Sequence, residues 1–213
     1  GWYDLHQYRL DPPAEVPMHW SRLVDLPIAL LYRLFALVFE PATALRAAMF
    51  VWPALPFLPT LWAARRIAVA LGGAWAAFPA VYLLATLGLV VAQFVPGRID
   101  HHNMQIMLSM LLLAALTGPA GRRRGMVAAA IGAVGLAVGL EILPFLAITA
   151  AMIALAWVID GDETGEAQAF GLTLAGATVA MAAATLPVSE WGRGACDALS
   201  IGFVGLALVG GVG

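Results

Sequence analysis

The stretch MVAAAIGAVGLAVGLEILPFLAITAAMIALAWVI at residues 126–159 decides the fold, because Glu141 is its only ionisable residue. As one straight helix it would be about 51 Å long at about 1.5 Å per residue, whereas the hydrocarbon core of a bilayer is about 30 Å thick. A hairpin of two short spans that turns at residues 141–144 fits this thickness better. The stretch therefore predicts a helical membrane protein in which Glu141 lies at a turn.

The composition of the whole chain agrees with this prediction. Hydrophobic residues make up 62% of the 213 residues and charged residues 11%, whereas soluble domains usually carry about 25% charged residues. A soluble all-helical protein with a large core is the alternative, but several nearly uncharged runs approach the roughly 20 residues that a span requires. The net charge of −2 gives no basic surface for nucleic acid. We therefore expect an all-α, polytopic transmembrane bundle with no nucleic-acid partner.

Residues 1–41 are more polar than the rest of the chain. Prolines break residues 1–25 into a loop, and residues 26–39 are too short to span a bilayer comfortably and so predict an interfacial helix. Residues 42–213 then form the transmembrane region. Because the chain begins at Gly1 and ends within an apolar run, we expect a fragment of a longer protein, truncated at both ends and inactive by itself.

Apolar runs in the transmembrane region predict about six to seven membrane helices. The first covers residues 42–64, is kinked by three prolines, and ends at Arg65 and Arg66. The second lies within residues 67–95 and is kinked near Pro79. Further spans are expected at residues 103–117, in both halves of residues 126–159, at residues 167–186 and at residues 201–213.

The densest basic cluster, Arg122, Arg123 and Arg124, sets the expected orientation. The positive-inside rule places this cluster in the cytoplasm. Alternating spans then put the N-terminal loop, the turn at Glu141 and residues 187–200 on the external side. We expect the inner (plasma) membrane of a bacterium, with the functional site on its external face.

Residues 96–105, PGRIDHHNMQ, place polar chemistry between two apolar stretches on that external side. Asp100 can cap the next helix by accepting from the N–H of His102 or Asn103, and this structural role accounts for Asp100 as well as a catalytic one does. It does not account for the histidines. Asp100 and His102 can converge an oxygen and a nitrogen on one divalent cation, with His101 turned away or supporting a ligand by a hydrogen bond.

A cation at a helix N-terminus is favourable only if an anion shares the site, because the helix dipole repels positive charge there. Arg98, Arg22 and Arg193 are candidate phosphate ligands, although a lone interfacial arginine more often only anchors a helix. His19 is a weaker candidate, because a histidine beside a tryptophan is more often a packing residue.

Asp100 and Glu141 are the candidate catalytic carboxylates. An ionisable group between two apolar runs is costly, so Glu141 is a functional candidate. The alternative is a carboxylate that water solvates at a helix turn. A carboxylate in such a site could orient or deprotonate an acceptor.

The segment GRIDHHNMQ at residues 97–105 resembles the second external loop of the catalytic subunit of oligosaccharyltransferases, membrane enzymes of the GT-C glycosyltransferase class. The segment YRLDPPAEVPMHWSRLVDLPIA at residues 8–29 is similar to the first external loop of that family. The order and spacing of the two segments also match. The resemblance covers about residues 8–139.

The resemblance implies that Asp100 and His102 bind a divalent cation, Mg²⁺ or Mn²⁺. It also implies a sugar donor on a polyprenyl phosphate or diphosphate, whose tail stays among the membrane lipids. The family's first acidic ligand would precede Gly1, and its acceptor-binding region has no counterpart in this chain. Glu141 matches no family position, and the acceptor stays open.

We therefore expect an integral-membrane, metal-dependent glycosyltransferase that transfers a sugar or glycan from a polyprenyl-phosphate-linked donor. One alternative is a transporter that uses Asp100, the histidines and Glu141 along a proton or metal pathway. The other is a non-catalytic assembly subunit in which the histidine segment only begins a helix.

Overall fold

The computed structural model describes residues 1–7, 16–17, 21–161 and 164–212. Within these residues the chain is all-helical apart from one pair of two-residue strands, which confirms the expected fold class at this level. It divides into two compact units. The central unit is Val24–Gly118, and the terminal unit combines Gly1–Leu23 with Pro119–Gly213.

Among the described residues, three helical segments are long and apolar enough to cross a membrane: Pro41–Gly72, Leu140–Asp160 and Glu166–Thr185. Three shorter apolar segments accompany them: Ala74–Thr86, His102–Leu116 and Ile201–Gly211. Many large hydrophobic side chains face outward, among them Trp75, which is 94% exposed. Such a surface is unusual for a soluble protein, and together these features indicate an integral-membrane protein.

Six helices form the central unit. They are α1 (Asp25–Phe35), α2 (Pro41–Val51), α3 (Ala54–Gly72), α4 (Ala77–Thr86), α5 (Gly88–Val91) and α6 (His102–Leu116). The α3 helix contacts α4 and α6. Helix α1 confirms a helix in the region expected to be interfacial, although it ends at Phe35 rather than at residue 39.

Glu40 begins α2 by capping it. Its carboxylate accepts hydrogen bonds from the Thr43 hydroxyl and from the backbone N–H groups of Ala42 and Thr43. These bonds favour the ionised form, so the pKa of Glu40 lies below its ordinary value. Pro41 follows at the first helical position, where its missing N–H costs nothing.

The expected interruption of the first apolar run is confirmed at Pro53 alone, because α3 is continuous through the other two prolines, Pro56 and Pro59. Helix α2 ends at Val51 and α3 begins at Ala54, so the break falls at Trp52 and Pro53. Pro53 stops α2 because it has no N–H to donate and its ring clashes with the preceding turn.

Arg65 and Arg66 were expected at the end of the first span, but the helix does not end there, because α3 continues to Gly72. The Nε of Arg66 donates to the Ala114 carbonyl at 3.1 Å and to the Thr117 hydroxyl at 3.2 Å. The guanidinium group of Arg66 therefore pairs with oxygen atoms at the C-terminal end of α6, and α3 continues without interruption. The helix ends where Gly73 adopts a φ of 74°, a conformation that favours glycine.

The prediction of a single second span within residues 67–95 is wrong. The chain turns at Gly73, forms a short 3₁₀ turn, and continues as α4 and α5, which Leu87 separates in an extended conformation. Pro79 lies in the first turn of α4, where a missing N–H removes no helical hydrogen bond, so no kink forms there.

In its described residues, the terminal unit contains four helices and the strand pair. The strands β1 (His6–Gln7) and β2 (Val16–Pro17) pair antiparallel, with His6 opposite Pro17. The helices are α7 (Arg122–Val138), α8 (Leu143–Asp160), α9 (Glu166–Thr185) and α10 (Ile201–Val212). A 3₁₀ turn, Leu140–Ile142, separates α7 from α8, so the break predicted near Glu141 is confirmed.

Helix α7 packs most extensively against α9, and small residues allow this approach. A side chain on Gly125 would place its Cβ 2.5 Å from the Glu166 carbonyl oxygen and 3.1 Å from the Phe170 nitrogen. Gly171 and Gly211 make a similarly close backbone approach between α9 and α10. Close backbone contacts of this type are usual for helices in membranes.

The two ends of α9 differ in chemistry. At its C-terminal end, Trp2 Nε1 donates to the Ala184 carbonyl and Trp191 Nε1 donates to the Leu186 carbonyl. These aromatic donors satisfy carbonyl groups that a helix end leaves unpaired. At its N-terminal end, Glu166 binds Arg124. The aromatic end has the composition expected at a membrane–water boundary.

We expect Gly125→Ala to destabilise the protein by about 1–3 kcal/mol, because the new methyl group would meet backbone atoms that cannot move separately from α9. Gly176→Ala is the matched control, since its methyl group meets nothing within 4 Å and alanine favours a helix by up to about 1 kcal/mol. Thermal unfolding in detergent measures both variants. Equal melting temperatures for the two would contradict the close packing of α7 and α9.

Candidate metal and phosphate site

The polar segment between α5 and α6 belongs to the central unit and is held by backbone contacts. Gly97 has a φ of 88°, which turns the chain after Pro96. Its N–H donates to the Met49 carbonyl in the last turn of α2 at 3.0 Å. This hydrogen bond attaches the turn to α2 immediately before Arg98, so the backbone that carries Arg98 and Asp100 has a fixed position relative to α2.

Asp100 makes a different contact with each of its carboxylate oxygens. Oδ1 accepts from the backbone N–H of His102 at 3.2 Å, which confirms the predicted hydrogen bond, although the capping position before α6 is His101 and not Asp100. Oδ2 lies 2.6 Å from the Nε of Arg98 in a close ion pair. One carboxylate therefore both begins the helix and holds the arginine.

The two histidines have opposite environments. His101 is buried, whereas the side chain of His102 is about half exposed and places its Nδ1 3.4 Å from Asp100 Oδ1. The imidazole rings lie close together, with centroids 4.4 Å apart. His102 is thus the histidine whose solvent-accessible side chain lies beside the partly exposed carboxylate of Asp100.

The separation of Asp100 Oδ1 and His102 Nδ1 fits two ligands of one cation. Metal–ligand bonds of about 2.0–2.1 Å place neighbouring ligand atoms about 3.0 Å apart at right angles and about 3.4 Å apart in a tetrahedron. The observed 3.4 Å lies at the upper end of this range. A nitrogen ligand suits transition metals better than Mg²⁺, which prefers oxygen, so Mn²⁺ fits this pair better.

The same turn can also attract an anion. The N-terminus of α6 carries a partial positive charge, and the guanidinium group of Arg98 lies beside it with its side chain 42% exposed. Arginine can bind phosphate through two parallel hydrogen bonds. A phosphate at this place would meet Arg98, the helix end and any cation held by Asp100 and His102.

Arg98, Asp100 and His102 lie together in the central unit. Two other candidate residues, Arg22 and Glu141, belong to the terminal unit. Arg22 donates from its Nε and Nη2 atoms to the backbone carbonyl of Asp4, and Glu141 is exposed in the 3₁₀ turn before α8.

Of the remaining candidates, Arg193 pairs with Glu190 in the loop after α9, with Nη1 2.9 Å from Oε1. His19 lies outside the described residues.

Sequence reasoning missed Asn103, which follows His102 in the first turn of α6. Its side chain is fully buried, and its Nδ2 donates to the Arg98 carbonyl at 3.3 Å. Asn103 is the only asparagine in the chain. The sequence feature that could have identified Asn103 is its position directly after the Asp-His-His run.

A small apolar cavity in the terminal unit does not compete with this site. It lies between α9, α10 and Trp191, and its lining contains no titratable side chain; the lining residues are Val179, Ala182, Leu186, Trp191, Ile201 and Val204. It could accept only an apolar group.

Comparison with protein-family models, with curated proteins and with solved structures gives no match to this chain. A helical fold alone does not assign a function, since function depends on the chemistry of particular sites. Any functional proposal therefore depends on the residues at the start of α6 and on the sequence resemblance described above.

Proposed function

We propose that this protein is an integral-membrane glycosyltransferase of the GT-C class that transfers a sugar from a polyprenyl-phosphate-linked donor. One observation carries the proposal: Asp100 Oδ1 and His102 Nδ1 lie 3.4 Å apart at the start of α6, with Arg98 paired to the other oxygen of Asp100. This arrangement combines two side chains able to bind a divalent cation, an arginine able to bind phosphate, and a helix N-terminus. The resemblance of residues 97–105 to an oligosaccharyltransferase loop adds support.

These groups match what sugar transfer from a lipid phosphate requires. A divalent cation, when bound, neutralises negative charge that develops on the leaving phosphate. Asp100 and His102 would hold the cation, Arg98 would hold a phosphate oxygen, and the N–H groups of α6 would favour the anion. The acceptor requires a further carboxylate, for which Glu141 is the candidate in this chain.

In this proposal the complete bundle has about six to seven spans, and the site faces the external side of a bacterial plasma membrane. The basic cluster at the start of α7 supports this orientation, because cytoplasmic loops are rich in arginine. An external site at the membrane boundary suits a donor whose isoprenoid tail stays in the lipid.

A transport function has less support. A proton or metal pathway needs ionisable groups within the spans. In α8 and α9, all of whose residues are described, the buried polar side chains away from the helix ends are two threonines, Thr149 and Thr178. The ionisable groups of these two helices lie at their ends. The third membrane-crossing segment, Pro41–Gly72, contains three arginines, Arg46, Arg65 and Arg66, whose guanidinium groups neither release protons nor bind metal cations.

Metal-dependent consumption of a lipid-linked sugar tests the proposal. The full-length protein is placed in lipid nanodiscs with a radiolabelled polyprenyl-phosphate sugar and membrane extract as the source of acceptor. We expect turnover to fall by at least about 100-fold with chelator and to recover with Mn²⁺, since the cation contributes several kcal/mol to the transition state. Undiminished turnover in excess chelator would remove the metal-dependent mechanism. Solute uptake into proteoliposomes without donor turnover would favour a transporter.

A further inference from the structure

We propose that Asn103 supplies a third protein ligand, its carboxamide oxygen, to the cation held by Asp100 and His102. The inference rests on the proposed cation site and extends it by one residue. Asn103 lies in the first turn of α6, and its side chain has no exposed surface. A polar amide in such a place requires a reason, because burying it without partners is costly.

The hydrogen bonds of Asn103 account for only one end of its amide. Nδ2 donates to the Arg98 carbonyl at 3.3 Å, whereas Oδ1 accepts no hydrogen bond from the described part of the chain. Exchanging the amide nitrogen and oxygen would place two acceptors against each other at Arg98. The orientation with Nδ2 towards Arg98 is therefore the favourable one, and it leaves Oδ1 as the buried acceptor.

An unpaired buried acceptor costs about 1–3 kcal/mol, and folded proteins retain few of them. Arg98 links Asn103 to the proposed site, since its carbonyl accepts from Asn103 and its guanidinium group pairs with Asp100. Asn103 and His102 are also consecutive in the first turn of α6. The unpaired oxygen thus belongs to the same turn as the two candidate ligands.

A divalent cation is the partner that this oxygen fits best. Amide oxygens are common ligands of hard cations such as Mn²⁺ and Mg²⁺. A neutral ligand adds no negative charge that Arg98 would have to balance. With Asp100, His102 and Asn103, the protein would offer three ligands from one turn and leave other positions to phosphate oxygen and water.

Titration of the full-length protein in detergent with Mn²⁺, followed by electron paramagnetic resonance, tests this role without an activity assay. We expect Asn103→Leu to weaken Mn²⁺ binding by at least about 10–100-fold, the loss that is typical when even a residue supporting a metal ligand is removed. We expect Asn103→Asp to bind at least as tightly as the unmodified protein, because it keeps an oxygen. Ser109→Ala, which removes another buried polar group of α6, should bind Mn²⁺ normally.

Asn103→Asp tests the role of the amide oxygen separately from that of the amide nitrogen, because it keeps an oxygen but loses the donor to the Arg98 carbonyl. If it binds Mn²⁺ as weakly as Asn103→Leu, or if Asn103→Leu binds normally, Asn103 is not a ligand, while Asp100 and His102 retain their proposed role. If the unmodified protein binds no Mn²⁺, the cation site itself is removed together with the proposed function. Circular dichroism checks that each variant is folded. If Asn103→Leu does not fold, the Mn²⁺ affinity of Asn103→Asp alone decides whether Asn103 is a ligand.

Discussion

Replacing Asp100 with alanine is expected to lower turnover of a polyprenyl-phosphate-linked sugar by about 10²–10³-fold in the full-length protein. The substitution removes one of the two proposed ligand atoms and releases Arg98 from its 2.6 Å ion pair. Loss of one group that stabilises developing charge typically costs about 3–4 kcal/mol in the transition state, which corresponds to this factor. The rate of donor consumption under saturating Mn²⁺ is the measurement.

The difficulty is that Asp100 also begins α6, so alanine removes two roles at once. Asp100→Asn and Asp100→Ser separate them, because both side chains can still accept from the N–H of His102 but neither carries a charge. We expect both variants to fold normally, to bind Mn²⁺ weakly and to lose nearly as much activity as Asp100→Ala. Normal turnover in Asp100→Asn and Asp100→Ser would show that Asp100 is only a helix-capping residue.

The sequence predicts helices best where the local pattern is sufficient. The break at Pro53 follows from proline's missing N–H, and the break near Glu141 follows from the length of the apolar run. The bond from His102 N–H to Asp100 follows from the capping preference of aspartate. Each of these features depends on residues close together in the chain.

The helix end expected at Arg65 and Arg66 is absent because of long-range contacts. The two arginines at residues 65 and 66 looked like the end of a span, yet Arg66 finds its acceptors at Ala114 and Thr117, 48 and 51 residues later. Its guanidinium group also lies over the Trp62 ring, 5.8 Å from the centroid. No local pattern contains these partners, so the charge was interpreted as a boundary.

In the candidate site, too, one feature follows from residues close together in the chain and another does not. The spacing of Asp100 and His102 predicts their convergence, because both lie at one helix start. Asn103 was missed because only its burial and its bond to the Arg98 carbonyl distinguish it from an ordinary helix residue. Asparagine is common at helix starts, so its identity alone indicates capping rather than a ligand.

The ion pair between Arg124 and Glu166 predicts the largest effect on stability. Arg124 Nε lies 2.5 Å from Oε1 and Nη2 lies 2.7 Å from Oε2, so the pair is bidentate, and the Glu166 side chain is only 7% exposed. Arg124→Met keeps most of the side-chain volume but leaves the carboxylate buried without its partner. We expect this variant to be destabilised by about 3–5 kcal/mol. A lowered melting temperature in detergent, by roughly 10 °C, is the measurement.

Arg123→Met is the matched control, because Arg123 is exposed beside Arg124 in the first turn of α7 and its loss should change stability little. The double variant Arg124→Met with Glu166→Leu tests the cause. A buried ion pair that is replaced by two apolar side chains often leaves stability unchanged, because the desolvation cost of both charges disappears with their attraction. We therefore expect the double variant to regain most of the melting temperature that Arg124→Met loses. If it stays as unstable as the single variant, the loss comes from packing between α7 and α9 and not from an unpaired carboxylate.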